Sequence, residues 1–216
     1  MLNFQNQIRF DLGAITKLQD TLDRLGIQRP LLVTDRGLRD NGVLDRITGV
    51  LEDSSSAKTY DGTPGNPTEE AVAEALEYYQ ENECDGVVCV GGGSPMDLGK
   101  AVALLADSGG PLAQYDPLKG GNKLVKGVAP LIAIPTTSGT GSEASVGFVI
   151  SMSDGRKLTF ANPKFLPRLA ICDPELTLGL PPMLTAATGM DAICLLYTSD
   201  AADEGLGVDL GGRRII

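Results

Sequence analysis

VVCVGGGSPMDLGKAVALLA, residues 87–106, places a strand, a glycine turn and a helix in immediate succession. Val87, Val88, Cys89 and Val90 are apolar without alternation, the pattern of a strand covered on both faces in a parallel sheet. Gly91, Gly92 and Gly93 allow a sharp turn in which the backbone lies close to a ligand, where a Cβ would intrude. Ser94, Pro95 and Asp97 read as a helix start, with Ser94 as N-cap, Pro95 at the first helical position and Asp97 closing a Ser-x-x-Asp capping box. Leu98, Ala101, Val102 and Leu105 follow on one helical face. Free N–H groups and the positive end of the helix dipole then point out of the turn, suited to a phosphate held without Lys or Arg. A tight βα turn that binds nothing has the same shape. Two commoner phosphate loops are excluded: a P-loop needs Gly at Ser94 and Ser or Thr at Ala101, and the Rossmann fingerprint needs a third glycine where Met96 stands.

The chain has 216 residues and 42% hydrophobic residues, enough for one ordinary domain and part of another. A net charge of −10 excludes the basic face that a nucleic acid or membrane-surface partner needs. No signal peptide and no apolar run of membrane-spanning length occur. Cys84, Cys89, Cys172 and Cys194 lack metal-type spacing, and a cytoplasmic protein with reduced thiols is expected. There is no histidine, which removes the commonest catalytic base and transition-metal ligand.

Helix and strand alternate. Ile15, Leu18, Leu22 and Leu25 mark a helix stopped at Gly26. Pro30 to Asp35 is a strand; Leu44, Ile47 and Leu51 mark a helix; Ala57 to Tyr60 is a short strand. Thr68 caps a helix whose buried face is Val72, Ala75, Leu76 and Tyr79. Residues 107–127 form a Gly-rich connection, an exposed excursion or a lid. Pro130 to Ile134 is a further strand, entering PTTSGTGSE. The α/β pattern predicts a Rossmann-like, doubly wound parallel sheet with ligands at the carboxyl ends of its strands. Asp35, Asn66, Gly91 to Ser94 and Thr136 to Thr140 each follow a strand, so all meet along one edge. Each is also a common cap or turn residue. Together they fit a dinucleotide crevice, with an acid for ribose hydroxyls, glycines for pyrophosphate and hydroxyls along the phosphates and nicotinamide. The acid disfavours a 2′-phosphate, so NAD is expected over NADP.

Six ordered segments carry a family resemblance: VTDRGL at 33–38, DGTPGNPT at 61–68, GGGSPMDLGKA at 91–101, PTTSGTGSE at 135–143, DPELTLGLPP at 173–182 and LTAATGMDA at 184–192. They resemble the iron-containing (group III, metal-dependent) alcohol dehydrogenases, related in fold to dehydroquinate synthase and glycerol dehydrogenase. The resemblance implies a cofactor-binding α/β domain, here 1–180, and an all-helical C-terminal domain holding Fe²⁺ or Zn²⁺, of which 181–192 is the start and the rest is missing. It also implies reversible oxidation of primary alcohols or diols to aldehydes, and a homodimer. By position, Asp35 corresponds to the adenosine-ribose residue and Asn66 to a cofactor contact. Gly92, Gly93 and Ser94 correspond to the pyrophosphate turn, with Asp97 counted among the cofactor-binding residues. Thr136, Thr137 and Ser142 correspond to a second cofactor loop, and Lys157 to a lysine that reaches the cofactor; taken alone, Lys157 reads as a solvated strand lysine.

Asp191 resembles the first metal ligand. The family places a histidine four residues later, where this chain has Leu195, and nothing from Ile193 onward resembles the family. Residues 193–216 read as an out-of-frame or foreign tail. These 216 residues are therefore expected to bind NAD but to lack a catalytic group and a complete metal site, and to be inactive as they stand. The alternatives are a nucleotide-binding module without catalysis and a fragment of a glycerol dehydrogenase-like enzyme.

Overall fold

The apolar run at 87–90 is the middle of a fully buried strand, β4 (Gly86–Gly91). The computed structural model describes residues 6–203. Strands β1 (Gln7–Phe10), β2 (Pro30–Val33), β3 (Lys58–Tyr60), β4, β5 (Leu131–Pro135) and β8 (Leu169–Cys172) form one sheet in the order β1-β8-β5-β4-β2-β3. Every pairing in it is parallel. The doubly wound α/β expectation holds.

The alternation of side chains along the central strands splits the core between two faces. Leu31, Val87, Cys89, Leu131 and Ala133 face helices α4 (Glu69–Glu81) and α5 (Gly93–Ser108). Leu32, Val88, Val90, Ile132 and Ile134 face α1 (Leu18–Leu25), α2 (Arg36–Asp40) and α3 (Val43–Thr48). Local chemistry sets the boundaries. Gly26, in the left-handed conformation, ends α1, and the Thr68 side chain accepts a hydrogen bond from the Ala71 amide at the start of α4.

Three features depart from the sequence expectation. Helix α5 starts at Gly93 with Gly92 as its N-cap, and no side chain caps it. The Ser94–Asp97 capping box does not form, because the glycines let the helix begin two residues early and place Ser94 inside its first turn. Residues 107–127 are an exposed excursion only in part: α5 continues to Ser108, and short 3-10 turns then bury Leu112, Tyr115 and Asp116 while Leu118 and Leu124 stay exposed. Finally, β6 (Gly147–Ser151) and β7 (Lys157–Ala161) form a separate antiparallel hairpin, stacked through Phe148 and Phe160 with ring centroids 5.0 Å apart. A last helix, α6 (Pro182–Asp203), runs unbroken across the 192/193 boundary. The proposed tail lies outside the described residues from 204 onward. No helix among the described residues is long and apolar enough to cross a membrane.

Helix α5 lies very close to β4, and a Cβ on Gly99 would stand 2.2 Å from Cys89 Sγ. Gly99→Ala is therefore expected to destabilise the fold by about 1–3 kcal/mol through overpacking. Cys89→Ala in the same chain should restore much of that loss. Urea denaturation of the two single variants and the double variant checks it: additive losses would mean that the helix moves away instead.

Candidate functional site

At the carboxyl ends of β2, β4 and β5 the turns enclose a crevice of about 930 Å³. Asp35, Gly92, Gly93, Ser94, Thr136 and Thr137, all expected at this edge, line it. Gly91 has φ 143°, a conformation that L side chains rarely adopt. A Cβ on Gly92 would come 3.1 Å from Thr137 Oγ1, and one on Gly93 would come 3.1 Å from Thr140 Cγ2. The glycines thus admit the threonine loop as well as leaving room at the helix terminus. The amides of the first turn of α5, uncapped by any side chain, form the positive end of a sixteen-residue helix.

Asp35 serves two ends at once. Its Oδ1 accepts a hydrogen bond of 3.0 Å from the Leu38 amide as N-cap of α2, and the residue also lines the crevice. Across from it, the loop after β3 approaches through a backbone bridge between Asp35 and Gly62. Thr63, 8% exposed, lines the crevice with a buried hydroxyl that has no hydrogen-bond partner among the described residues. Ser94 Oγ donates to the Gly65 carbonyl at 2.8 Å, tying the glycine turn to that loop.

The other expected residues lie outside the crevice lining. Lys157, at the start of β7, donates to Asn66 Oδ1 at 3.1 Å, so those two exposed residues meet each other. Asp97 and Ser142 meet behind the glycine turn: Ser142 Oγ donates to Asp97 Oδ1 and the Val149 amide to Asp97 Oδ2, both at 3.0 Å. Burial raises the Asp97 carboxyl above the usual carboxylate range, opposed by these two donors and by Lys100 and Lys157. Asp191 lies on α6 beside the Gly139 turn, where a Cβ on Gly139 would stand 3.0 Å from its Oδ2. Among the described residues no three His, Cys, Asp or Glu side chains gather to hold a metal.

Sequence reasoning missed two contributions. Gly179, Leu180, Pro181, Leu184 and Thr188 close the crevice from the entry to α6, and their signal was the pair of segments DPELTLGLPP and LTAATGMDA. Lys100 is wholly buried, and its ammonium donates to the carbonyls of Ser142, Ser145 and Gly147 at 2.7, 2.8 and 2.9 Å. Burial lowers its pKa, and the nearby Asp97 and Glu143 carboxylates oppose the shift.

A doubly wound sheet with a glycine-turn crevice at its carboxyl edge defines an α/β ligand-binding domain. The sequence profile of the iron-containing alcohol dehydrogenases matches residues 5–174, and the chain belongs to that family. It is 50% identical over 191 residues to a 4-hydroxybutyrate dehydrogenase of Cupriavidus necator, covering 88% of this chain and 50% of that one. It is 36% identical over 186 residues to a lactaldehyde reductase of Escherichia coli strain K12, covering 85% and 48%. Among solved structures, a 1,3-propanediol oxidoreductase superposes with a TM-score of 0.79 at 35% identity, covering 87% and 49% of the two chains. A sulfoacetaldehyde reductase from Bifidobacterium kashiwanohense in complex with NAD+ gives 0.77 at 32%, covering 86% and 49%. The chain thus spans about half the length of the curated relatives it matches.

Lys100→Met would leave three buried carbonyls without their donor. A loss of about 3 kcal/mol or more is expected, read from urea unfolding followed by circular dichroism. A loss below about 1 kcal/mol would show that water replaces the ammonium.

Proposed function

We propose that residues 1–180 are the cofactor-binding half of an NAD-dependent alcohol dehydrogenase acting on small alcohols or aldehydes. The observation that carries this is the uncapped N-terminus of α5 opening between Gly92, Gly93 and Thr137 into a crevice that also presents Asp35 and the unpartnered Thr63 hydroxyl. That donor set fits a dinucleotide: backbone amides for pyrophosphate, a carboxylate for ribose hydroxyls, and hydroxyls between them. The dinucleotide, when bound, supplies a two-electron hydride acceptor.

This chain's residues bind and orient. The first-turn amides of α5 hold the pyrophosphate, and Thr136 and Thr137 face it from the adjoining loop. Asp35 keeps its Oδ1 on the cap of α2 and offers its other oxygen to the ribose. Lys157 and Asn66, already hydrogen-bonded, form an exposed pair outside the crevice lining that reaches the cofactor from the flank. Asp97 acts from behind, holding Ser142 and β6 in place. Asp35 favours NAD over NADP by charge.

The family metal does not fit these residues. Asp191 is a single carboxylate, the chain has no histidine, and catalytic divalent ions use three or more protein ligands. No step through a metal is assigned to this chain. In this reading 181–192 begin the helical metal-binding domain and 193–216 are a foreign tail. The substrate class follows from the family and its relatives, and a homodimer is the assembly proposed.

NADH titration followed by fluorescence should saturate. Asp35→Asn keeps an acceptor for the Leu38 amide, so it separates capping from ribose binding: NADH affinity should fall about tenfold while thermal stability holds. A folded chain that binds no NADH would overturn the cofactor reading. Separately, the chain supplied with Fe²⁺ or Zn²⁺, NAD and propanediol should give no NADH, since losing metal activation costs on the order of a thousandfold or more in rate. Grafting a helical domain of the family after Ala192 should restore turnover. Metal-dependent turnover by the ungrafted chain would place the metal site elsewhere.

A further inference from the structure

Asp61 and Arg39 form an ion pair at the Asp35 end of the crevice. Asp61 lines the crevice and its side chain is only 24% exposed, whereas the Arg39 side chain is 53% exposed. The backbone fixes the two turns against each other: the Thr34 amide donates to the Tyr60 carbonyl at 2.9 Å, and Asp35 bridges Gly62. The two carboxylates therefore sit on facing turns of one wall. They differ in compensation. Arg39 donates through Nη1 to Asp61 Oδ2, and its Nε lies 3.5 Å from Asp40 Oδ1. Asp35 accepts only an amide from its own helix. Arg36, exposed in the first turn of α2, lines the same wall.

Resting on the cofactor reading above, we infer that the Arg39–Asp61 pair is a second specificity determinant, setting how strongly this wall rejects a 2′-phosphate. Asp61 engages the guanidinium that would otherwise be available to a phosphate, since arginine forms bidentate pairs with phosphate as readily as with carboxylate. Arg39 in turn masks the Asp61 charge, which unmasked would add to the repulsion from Asp35. Removing either partner breaks the same ion pair, yet the two removals shift cofactor choice in opposite directions. Asp61→Asn leaves Arg36 and Arg39 facing one carboxylate fewer, and Arg39→Ala leaves two uncompensated carboxylates. A purely structural brace has no such asymmetry.

The test is the ratio of NADPH to NADH dissociation constants, measured by fluorescence titration on the full chain and on Asp61→Asn, Arg39→Ala and Arg39→Lys. Circular dichroism establishes that each variant is folded. Asp61→Asn should lower the ratio about tenfold and Arg39→Ala should raise it severalfold, magnitudes expected for one charge acting at a half-exposed site. Arg39→Lys, which keeps the charge, should stay near the parent value. Ratios that move in the same direction, or do not move while NADH still binds, overturn the inference and leave the cofactor reading standing. A folded parent chain that binds neither dinucleotide overturns both.

Discussion

One buried ammonium ties helix α5 to the segment that leads into the β6–β7 hairpin. Lys100 sits in the third turn of a helix packed against the sheet, and its three donors satisfy three carbonyls of the segment 142–147. That segment joins the threonine loop to the β6–β7 hairpin, and its backbone has no neighbouring strand of the large sheet to bond with. Burying a lysine is costly unless every proton finds an acceptor, and here each does. One helix therefore presents its amino end to the crevice, with Asp97 and Lys100, one turn further on, fixing the loop opposite it.

The hairpin inherits this placement. Arg156, in its turn, pairs with the almost fully buried Asp116 and with Asp154, so the turn is tied to the 3-10 segment after α5. Burial pushes the Asp116 carboxyl up, but the Arg156 and Leu118 donors outweigh it and hold it below the usual carboxylate range; Asp154 is held down chiefly by its hydrogen bond from Arg156. Lys157 is the next residue, and its reach to Asn66 follows from where that turn is anchored.

Much of this was legible in the sequence, for physical reasons that differ from residue to residue. Gly26 and Thr68 act locally, so their roles as stop and cap could be read from their neighbours. The run Val87–Val90 announced a strand buried on both faces, and the rule that ligands gather at strand carboxyl ends brought Asp35, Gly92 and Thr137 together correctly. Ser94 was misread because three successive glycines leave the helix start undetermined by two residues. Phe148, Ile150, Leu158 and Phe160 alternate on either side of Asp154-Gly155, a hairpin signal that a search for βα alternation passes over. Lys100 could not be read at all, since its acceptors lie more than forty residues downstream and only the folded chain makes them neighbours.

The order of strands also governs when the domain can close. Among the described residues strand β1 pairs in the sheet only with β8, Gln7 with Leu169 and Phe10 with Cys172. The Asp173 carboxylate makes the same join, accepting the amides of Gly13 and Ile15 across sequence separations of 160 and 158 residues. During synthesis at roughly 5–20 residues per second, β1 waits on the order of ten to thirty seconds for that partner to emerge. Through that interval the edge of β1 is unpaired, joined by that of β5 once residues 131–135 have been made, and contacts this distant in sequence form slowly. Strand β1 is thus made well before it can be secured, and the nascent chain stays open to wrong pairings at that edge until residue 173 has left the ribosome.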